Sequence, residues 1–278
     1  MKQRVITGAV LCAILVLLIV FSSTVAFPIV LALCGIVAVY EMFSCVGHAK
    51  SIIAALPFYL AAGAFPFLIR YLDNRSLLID IIIAAALLTM LYLFTVVIFS
   101  HGKYKIDRIG VIFFSLLYTI VGFSSMAYVR DFVMGGEYLF VFVFIGAWIT
   151  DTFAYFCGML FGKGGKHKLI PDVSPKKTVE GSIGGMTFCV IAMVIFGIVI
   201  EAMSDYSANL LVFAFAGLLA SVVSQIGDLA MSVIKRHYGI KDYGKLFPGH
   251  GGILDRFDSI IAVSIVLMVF TRFFDFLH

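Results

Sequence analysis

The chain consists mainly of long apolar runs separated by short polar segments. Nine such runs occur, approximately at residues 5–21, 25–44, 51–69, 77–99, 109–129, 138–161, 182–202, 208–234 and 254–276. A bilayer core of about 30 Å requires roughly 18 or more apolar residues in a helix. Backbone amides in lipid must be hydrogen-bonded within the segment, so each run is predicted to be helical. The pattern predicts an all-α, polytopic integral membrane protein with about nine transmembrane helices.

Composition excludes a soluble domain. Hydrophobic residues make up 62% of the chain and charged residues 13%, whereas soluble domains have roughly 45–50% and about 25%. Five cysteines form an odd number and include no CxxC pair, which argues against a disulfide scaffold and against a zinc site. We interpret them as small packing residues.

The basic residues predict the orientation. With Lys2 and Arg4 in the cytoplasm, alternation places the loops 162–181 and 235–257 there too. All but four of the 20 lysines and arginines then lie on the cytoplasmic side, which is the bias expected of membrane proteins. The exceptions are Arg70, Arg75, Arg130 and Arg272. Residues 1–26 also fit a signal peptide, and its cleavage would leave the later topology unchanged.

Polar residues divide the chain into two regions. Residues 1–130, with spans 1–5, are predicted to be a transmembrane scaffold, and residues 131–278, with spans 6–9, a catalytic region. In the scaffold, Glu41 and Asp80 lie near helix ends, and we expect both to reach interfacial water. Asp151 is different because it lies mid-span, where a carboxylate costs roughly 2.5–3.5 kcal/mol. It is a functional candidate, with a structural hydrogen bond to a neighbouring helix as the alternative.

Two cytoplasmic segments have the composition of phosphate sites. In 174–178, Ser-Pro-Lys-Lys-Thr, two lysines and two hydroxyls lie beside the start of span 7, and such donors suit phosphate oxygens. The alternative for this basic loop is a topology signal or a patch for anionic lipid. In span 8, Asp228, Ser232 and Lys235 have the spacing i, i+4, i+7 and share one helical face.

The segment 247–258 follows span 8 and leads into span 9. Its glycines permit close backbone approach, and the amides at the start of span 9 are predicted to bind phosphate. Asp255 and Asp258 lie one turn apart on the same face. An interfacial loop that binds lipid headgroups would explain the lysines of this region but not its carboxylates.

These residues resemble the signature of the phosphatidate cytidylyltransferase family. The pattern is Ser232-x-Ile234-Lys235-Arg236-x4-Lys241-Asp242-x-Gly244-x2-Phe247-Pro248-x-His250-Gly251-Gly252-Ile253-x-Asp255-Arg256-Phe257-Asp258. Segments 174–181 and 151–155 resemble two further family segments, while the N-terminal half is similar only as a set of spans. The chain departs from the family at Val179, where tryptophan is common, and in an apparent insertion at 163–166. The insertion leaves open which of Lys163, Lys166 and Lys168 matches a family lysine.

The resemblance implies CTP and phosphatidic acid as substrates, CDP-diacylglycerol and pyrophosphate as products, and a requirement for Mg²⁺. Asp228 and Asp255 would be the principal metal ligands, with Asp258, Asp151 and Asp242 as further candidates. One or two divalent ions fit, and a monovalent ion such as K⁺ is left open. Ser232, Lys235, Lys176 and Lys177 would contact phosphate. Further substrate-binding candidates are Ser174, Thr178, Arg236, Lys241, His250, Gly251, Gly252 and Arg256.

Both substrates bear on the location of the site, because CTP arrives from water while diacyl chains remain in lipid. We expect a multi-pass protein of the bacterial inner membrane, with an active site that faces the cytoplasm. No nucleic-acid partner is expected, and a homodimer is left open. One alternative is a CTP-dependent polyprenol or lipid kinase, which would release CDP. The other is a membrane transporter, although such folds tend to show internal repeats and midplane sites.

Overall fold

The computed structural model describes residues 12–162 and 167–278. Helix α1 is described over residues 12–20. The helices that follow are α2 (Ala26–Cys45), α3 (Ile52–Tyr71), α4 (Arg75–Ile98), α5 (Ile106–Phe132), α6 (Gly136–Phe161), α7 (Val179–Met203), α8 (Leu210–His237) and α9 (Leu254–Phe270). Two short strands, β1 (Lys168–Ile170) and β2 (Ser174–Thr178), form an antiparallel sheet between α6 and α7 in sequence. The predicted all-α fold class is confirmed, with this hairpin as a small addition.

The helices agree with the predicted multi-pass membrane architecture. Within residues 12–162 and 167–278, seven helices, α2 to α8, are long and apolar enough to cross a bilayer. The start of predicted span 5–21 lies outside the described residues. The same holds for the cytoplasmic placement of Lys2 and Arg4.

The prediction for span 9 was too long. Helix α9 ends at Phe270 rather than at residue 276. The C-terminal residues instead pair with the segment before α8: Ser207 and His278 exchange two backbone hydrogen bonds of 3.1 and 3.0 Å, and Asn209 N–H donates to the Phe276 carbonyl. This pairing satisfies backbone groups that a longer helix would otherwise have satisfied internally.

The chain divides into two compact units. Unit 1 comprises Met1–Ala127 and Tyr238–Arg256, and unit 2 comprises Tyr128–His237 and Phe257–His278. Most of the predicted cytoplasmic loop 235–257 thus groups with the N-terminal helices. The assignment of scaffold to 1–130 and of catalysis to 131–278 stays a prediction.

Unit 1 is built on close contact between α2 and α3. A Cβ added to Gly35 would lie 3.1 Å from the Ala62 Cβ, so the two backbones approach closely at this point. Phe43 and Phe58 pack edge to face nearby. Side chains from α3, α4 and α5 surround an apolar cavity of about 480 Å³. Helix α4 is largely exposed, as expected for a helix that contacts lipid.

Unit 2 packs α6, α7 and α8 together through small residues. A Cβ at Gly146 of α6 would lie 3.2 Å from Met193 of α7 and 3.3 Å from Ala220 of α8. Small residues let transmembrane helices approach closely enough for extensive van der Waals contact. Phe142 and Phe213 lie beside Phe276 in an aromatic core, so the C-terminal segment is anchored in the same unit. This packing supports the polar residues of α6 and α8.

Candidate functional site

The predicted polar face of α8 is present in unit 2. Ser232 and Lys235 are only 9% and 8% exposed, and Asp228 is half-buried. A lysine is almost never fully buried unless its charge is paired. Asp258 is one source of negative charge, since its carboxylate interacts electrostatically with the Lys235 ammonium. The i, i+4, i+7 spacing thus identified a face of α8 that is polar and largely protected from water.

Lys177 joins the hairpin to this face. Its ammonium forms an ion pair with the Asp228 Oδ2. The two side chains are 20% and 25% exposed, so the pair is largely shielded from water. The Ser-Pro-Lys-Lys-Thr segment and α8, which the sequence presents as separate motifs, therefore meet at one place in unit 2.

The hairpin gives the two adjacent lysines different environments. Lys168 of β1 lies opposite Thr178 of β2 in the antiparallel register. Successive side chains of a strand point to opposite faces. Lys176 is accordingly exposed, whereas Lys177 is half-buried and reaches Asp228. The structure distinguishes two predicted phosphate contacts that the sequence treats alike.

Thr178 has a structural role at the end of the hairpin. Its Oγ1 accepts the Gly181 N–H at 3.1 Å and caps the N-terminus of α7. His167 and Glu180 lie across the same junction, with Nδ1 and Oε1 2.5 Å apart. The cap and this pair fix the angle at which the hairpin leaves α7. Contact between Thr178 and substrate stays a prediction.

A cavity of about 340 Å³ lies between the hairpin and α6. Lys168 and Lys176 supply its basic side, and α6 supplies Ala154, Tyr155 and Met159. Lys168 also donates to the Pro175 carbonyl at 2.8 Å, which holds its ammonium against β2. Of the three lysines that the insertion left ambiguous, Lys163 and Lys166 lie outside the described residues.

Three carboxylates of unit 2 influence one another. Asp258 interacts electrostatically with both Asp228 and Asp151. Ser259 links two of them, because its N–H donates to the Asp258 Oδ1 at 2.8 Å and its Oγ donates to the Asp151 Oδ2 at 3.4 Å. The structural alternative for Asp151, a hydrogen bond to a neighbouring helix, is therefore present. Its proposed role at the site stays a prediction.

Asp255 organises the signature loop in unit 1. The side chain is buried, and its Oδ2 accepts the Tyr243 N–H at 2.7 Å and the Gly252 N–H at 2.9 Å. Gly251 has a φ of +82°, and a Cβ there would lie 2.6 Å from the same oxygen. Only glycine adopts this conformation readily and leaves room for the carboxylate.

His250 lies in a tight turn of the same loop. The Phe247 N–H donates to the Gly251 carbonyl at 2.9 Å, and the His250 N–H donates to the Phe247 carbonyl at 2.8 Å. Among the residues that the structure describes, none provides a hydrogen-bond partner for the buried His250 Nδ1. An orphan nitrogen of this kind agrees with the prediction that His250 binds substrate.

The prediction that Glu41 reaches interfacial water is wrong. Glu41 is only 3% exposed. Its Oε1 accepts the Ile253 N–H at 3.0 Å, and its Oε2 accepts the Leu254 N–H at 2.9 Å. A buried carboxylate requires such donors. No sequence spacing predicts this contact, because it joins residues 212 positions apart.

The predicted phosphate site at the start of α9 also needs correction. A helix N-terminus binds anions through amides that have no partner within the helix. Here the amides of Ile253 and Leu254 donate to Glu41, and that of Gly252 donates to Asp255. Carboxylates of the chain itself thus occupy these donors, and phosphate binding by the lysines stays a prediction.

The remaining predicted residues are exposed or half-buried. Ser174 is half-buried, and the exposed ones are Arg236, Lys241, Asp242 and Arg256. Asp228 belongs to unit 2 and Asp255 to unit 1, so their predicted pairing as metal ligands stays a prediction.

The donor chemistry fits a hard cation. Mg²⁺ binds one or two carboxylates and completes its octahedral shell with water and substrate phosphates. Within the described parts of either unit, no group of three or more His, Cys, Asp or Glu side chains is arranged to hold a metal by itself. Asp228 and Asp258 in unit 2 and Asp255 in unit 1 stay predicted ligands of such an ion.

Comparison with known proteins gives consistent matches. The sequence model described as "Cytidylyltransferase family" matches residues 2–274. The phosphatidate cytidylyltransferase of Bacillus subtilis (strain 168) is 34% identical over 272 residues, which cover 95% of this chain and 94% of that protein. Proteins of the same name from Staphylococcus haemolyticus and Staphylococcus saprophyticus are 37% and 34% identical over 172 and 197 residues. These matches cover 62% of both chains in the first case, and 71% of this chain and 72% of the relative in the second.

Proposed function

Because this chain belongs to the cytidylyltransferase family, we propose that it transfers CMP from CTP to phosphatidic acid in phospholipid biosynthesis. The products are CDP-diacylglycerol and pyrophosphate. The match to the Bacillus subtilis phosphatidate cytidylyltransferase runs along nearly the whole of both chains and supports the same activity here. The enzyme is a nucleotidyltransferase that spans the membrane several times.

The ion pair of Lys177 with Asp228 is the structural observation that carries this proposal. It brings segment 174–178, whose lysines and hydroxyls can donate hydrogen bonds to phosphate, to a carboxylate on α8. Lys235 and Asp258 belong to the same electrostatic group. Alternating cations and carboxylates of this kind suit a reaction in which both substrates and both products carry phosphate.

The reaction joins two polyanions. A phosphate oxygen of phosphatidic acid attacks the α-phosphorus of CTP, the bond between the α-phosphorus and the bridging oxygen breaks, and pyrophosphate leaves with that oxygen. Phosphate monoesters lose their second proton near pH 6, so the nucleophile needs no strong general base. Two like charges 4 Å apart repel by about 4 kcal/mol at an effective dielectric constant of 20. Lys177, Lys235 and Lys176 would offset this repulsion.

Mg²⁺ is the cofactor that we propose, as one or two ions, with a monovalent ion such as K⁺ as an additional candidate. Asp228 and Asp255 are the proposed principal ligands, and Asp258, Asp151 and Asp242 are the further ones. When bound, the metal would neutralise phosphate charge and stabilise the leaving pyrophosphate. Lysines that already pair with these carboxylates would then become available to phosphate.

We place the enzyme in the bacterial inner membrane, with its site facing the cytoplasm. The distribution of lysine and arginine supports this orientation, and the bacterial relatives support the compartment. The substrates are CTP and a membrane lipid, no nucleic-acid partner is expected, and a homodimer is compatible with the proposal.

The direct test uses purified protein in vesicles that contain phosphatidic acid. With CTP and Mg²⁺, we expect equal amounts of CDP-diacylglycerol and pyrophosphate. Vesicles that also contain polyprenol test the alternative, because a lipid kinase would transfer the γ-phosphoryl group of CTP to that alcohol, release CDP and leave phosphatidic acid unchanged. Formation of CDP without CDP-diacylglycerol would overturn the proposal.

A further inference from the structure

Two carboxylates share the backbone of the signature loop in unit 1. Glu41 accepts the N–H groups of Ile253 and Leu254, while Asp255 accepts those of Tyr243 and Gly252. Three consecutive amides, 252 to 254, are therefore held by carboxylates. Asp255 is the next residue after these amides. The same hydrogen bonds that hold the loop therefore also orient the Asp255 side chain in the first turn of α9.

Glycines of the loop leave the space that Glu41 occupies. A Cβ at Gly244 would lie 2.3 Å from the Glu41 Oε1, and a Cβ at Gly252 would lie 2.0 Å from the same oxygen. No side chain fits at such distances unless the carboxylate moves. Both glycines belong to the signature pattern, which points to a carboxylate beneath the loop as one reason for their presence.

We propose that Glu41 is a positioning residue for the active site: its carboxylate fixes the backbone of 252–254 and thereby the direction of Asp255. The importance of Asp255 rests on the proposed function, whereas the contact of Glu41 with the loop does not. Gly252 transmits the effect, because its N–H binds Asp255 while its Cα lies against Glu41. Glu41 of α2, which is far from the signature in sequence, thus acts on Asp255 through Gly252.

Charge and length of the side chain make the proposal specific. Glu41→Gln keeps the shape but turns one acceptor into an amide donor, which then faces a backbone N–H. Glu41→Asp keeps the charge on a side chain shorter by one methylene. The matched control is Asp80→Asn, which removes an exposed carboxylate from α4 of the same unit.

The experiment combines hydrogen exchange with kinetics on the purified full-length chain. For Glu41→Gln we expect the amides of Ile253 and Leu254 to exchange about tenfold faster or more, since their hydrogen bonds to a charged acceptor are lost. We expect kcat and kcat/KM for CTP to fall together by about tenfold or more, as for an interaction used in the transition state. Glu41→Asp should recover part of both, and Asp80→Asn should change neither.

Hydrogen exchange and kinetics together distinguish failure of the Glu41 proposal from failure of the proposed function. Unchanged exchange of the Ile253 and Leu254 amides in Glu41→Gln would overturn the proposed contact, whatever the activity. Faster exchange with an unchanged kcat per folded molecule would show a purely structural cap and would also overturn the positioning role. Absence of CMP transfer in the unmodified protein would contradict the proposed function, while the exchange measurement would still test Glu41.

Gly252→Ala provides an independent check from the other side of the contact. Its methyl group would displace the Glu41 carboxylate, so we expect the same region of faster exchange and a similar loss of kcat. Combining Gly252→Ala with Glu41→Gln should add little to either change. Full additivity of the two substitutions would contradict a shared mechanism.

Discussion

Removing the ammonium of Lys177 should destabilise unit 2 more than removing the charge of its partner Asp228. Lys177→Met leaves Asp228, Asp258 and Asp151 close enough to repel one another. Asp228→Asn also breaks the ion pair, but it relieves the repulsion between Asp228 and Asp258. The two substitutions are therefore unequal, although each deletes one partner of the same pair.

The burial of the pair sets the magnitude. Exposed ion pairs contribute about 0–1 kcal/mol, and breaking a fully buried one costs about 3–5 kcal/mol. With side chains 20% and 25% exposed, this pair lies between these limits. We expect a loss of about 2 kcal/mol for Lys177→Met and about 1 kcal/mol for Asp228→Asn. The double variant also removes the unpaired charge of Asp228, so it should resemble Asp228→Asn, which gives a coupling energy of about 2 kcal/mol.

Fluorescence of Trp148 offers a convenient assay, because it is the single tryptophan and lies in α6 of unit 2. Unfolding by denaturing detergent can be followed for the unmodified protein, both single variants and the double variant. Lys176→Met is the matched control, since Lys176 is an exposed neighbour on the same strand and should change stability by less than about 0.5 kcal/mol. Equal losses for Lys176→Met and Lys177→Met, or strict additivity in the double-mutant cycle, would contradict a stabilising ion pair between Lys177 and Asp228.

Two further predictions concern stability. Burial and the nearby charges of Arg108 and Lys103 lower the pKa of His48, which lies between α2 and α3. The unfolded chain, with a histidine pKa of about 6.5, then binds more protons, so stability should fall as the pH drops through that value and level off below the lowered pKa. His48→Gln should flatten this slope in a circular-dichroism titration, and an unchanged slope would contradict the assignment. Gly217→Ala should cost about 1–3 kcal/mol by overpacking, because its Cβ would lie 2.9 Å from the Met193 side chain and 3.3 Å from the Val190 Cα. Gly110→Ala, with nothing within 4 Å, should be neutral or stabilising, and equal losses at both sites would argue against this packing.

The sequence predicts features that depend on local periodicity. Apolar runs identify the helices because lipid leaves the backbone no other partner than itself. The spacing of Asp228, Ser232 and Lys235 identifies the polar face of α8, because helix geometry alone brings these residues to one side. Both are properties of a single segment, and no knowledge of its neighbours is needed.

Features that depend on long-range contacts were missed or wrong. The ion pair of Lys177 with Asp228 requires the hairpin to fold back toward α8, and no spacing in the sequence encodes that approach. The end of α9 at Phe270 depends on pairing with the segment before α8. Glu41 was treated as an interfacial residue because the loop that it binds is remote in sequence. A buried acid in an otherwise apolar helix was the one available signal.

In the proposed function, Asp228 and Lys177 of unit 2 bring CTP and phosphatidic acid together. The most direct measurement supplies CTP labelled at the α-phosphate to the unmodified protein, Asp228→Ala and Lys177→Met in vesicles with phosphatidic acid and Mg²⁺. We predict labelled CDP-diacylglycerol from the unmodified protein, none detectable from Asp228→Ala and at least a tenfold slower transfer, roughly the loss of one charged hydrogen bond, from Lys177→Met. Near-normal transfer of label by Asp228→Ala, with the protein folded in the membrane, would contradict the proposed role of Asp228.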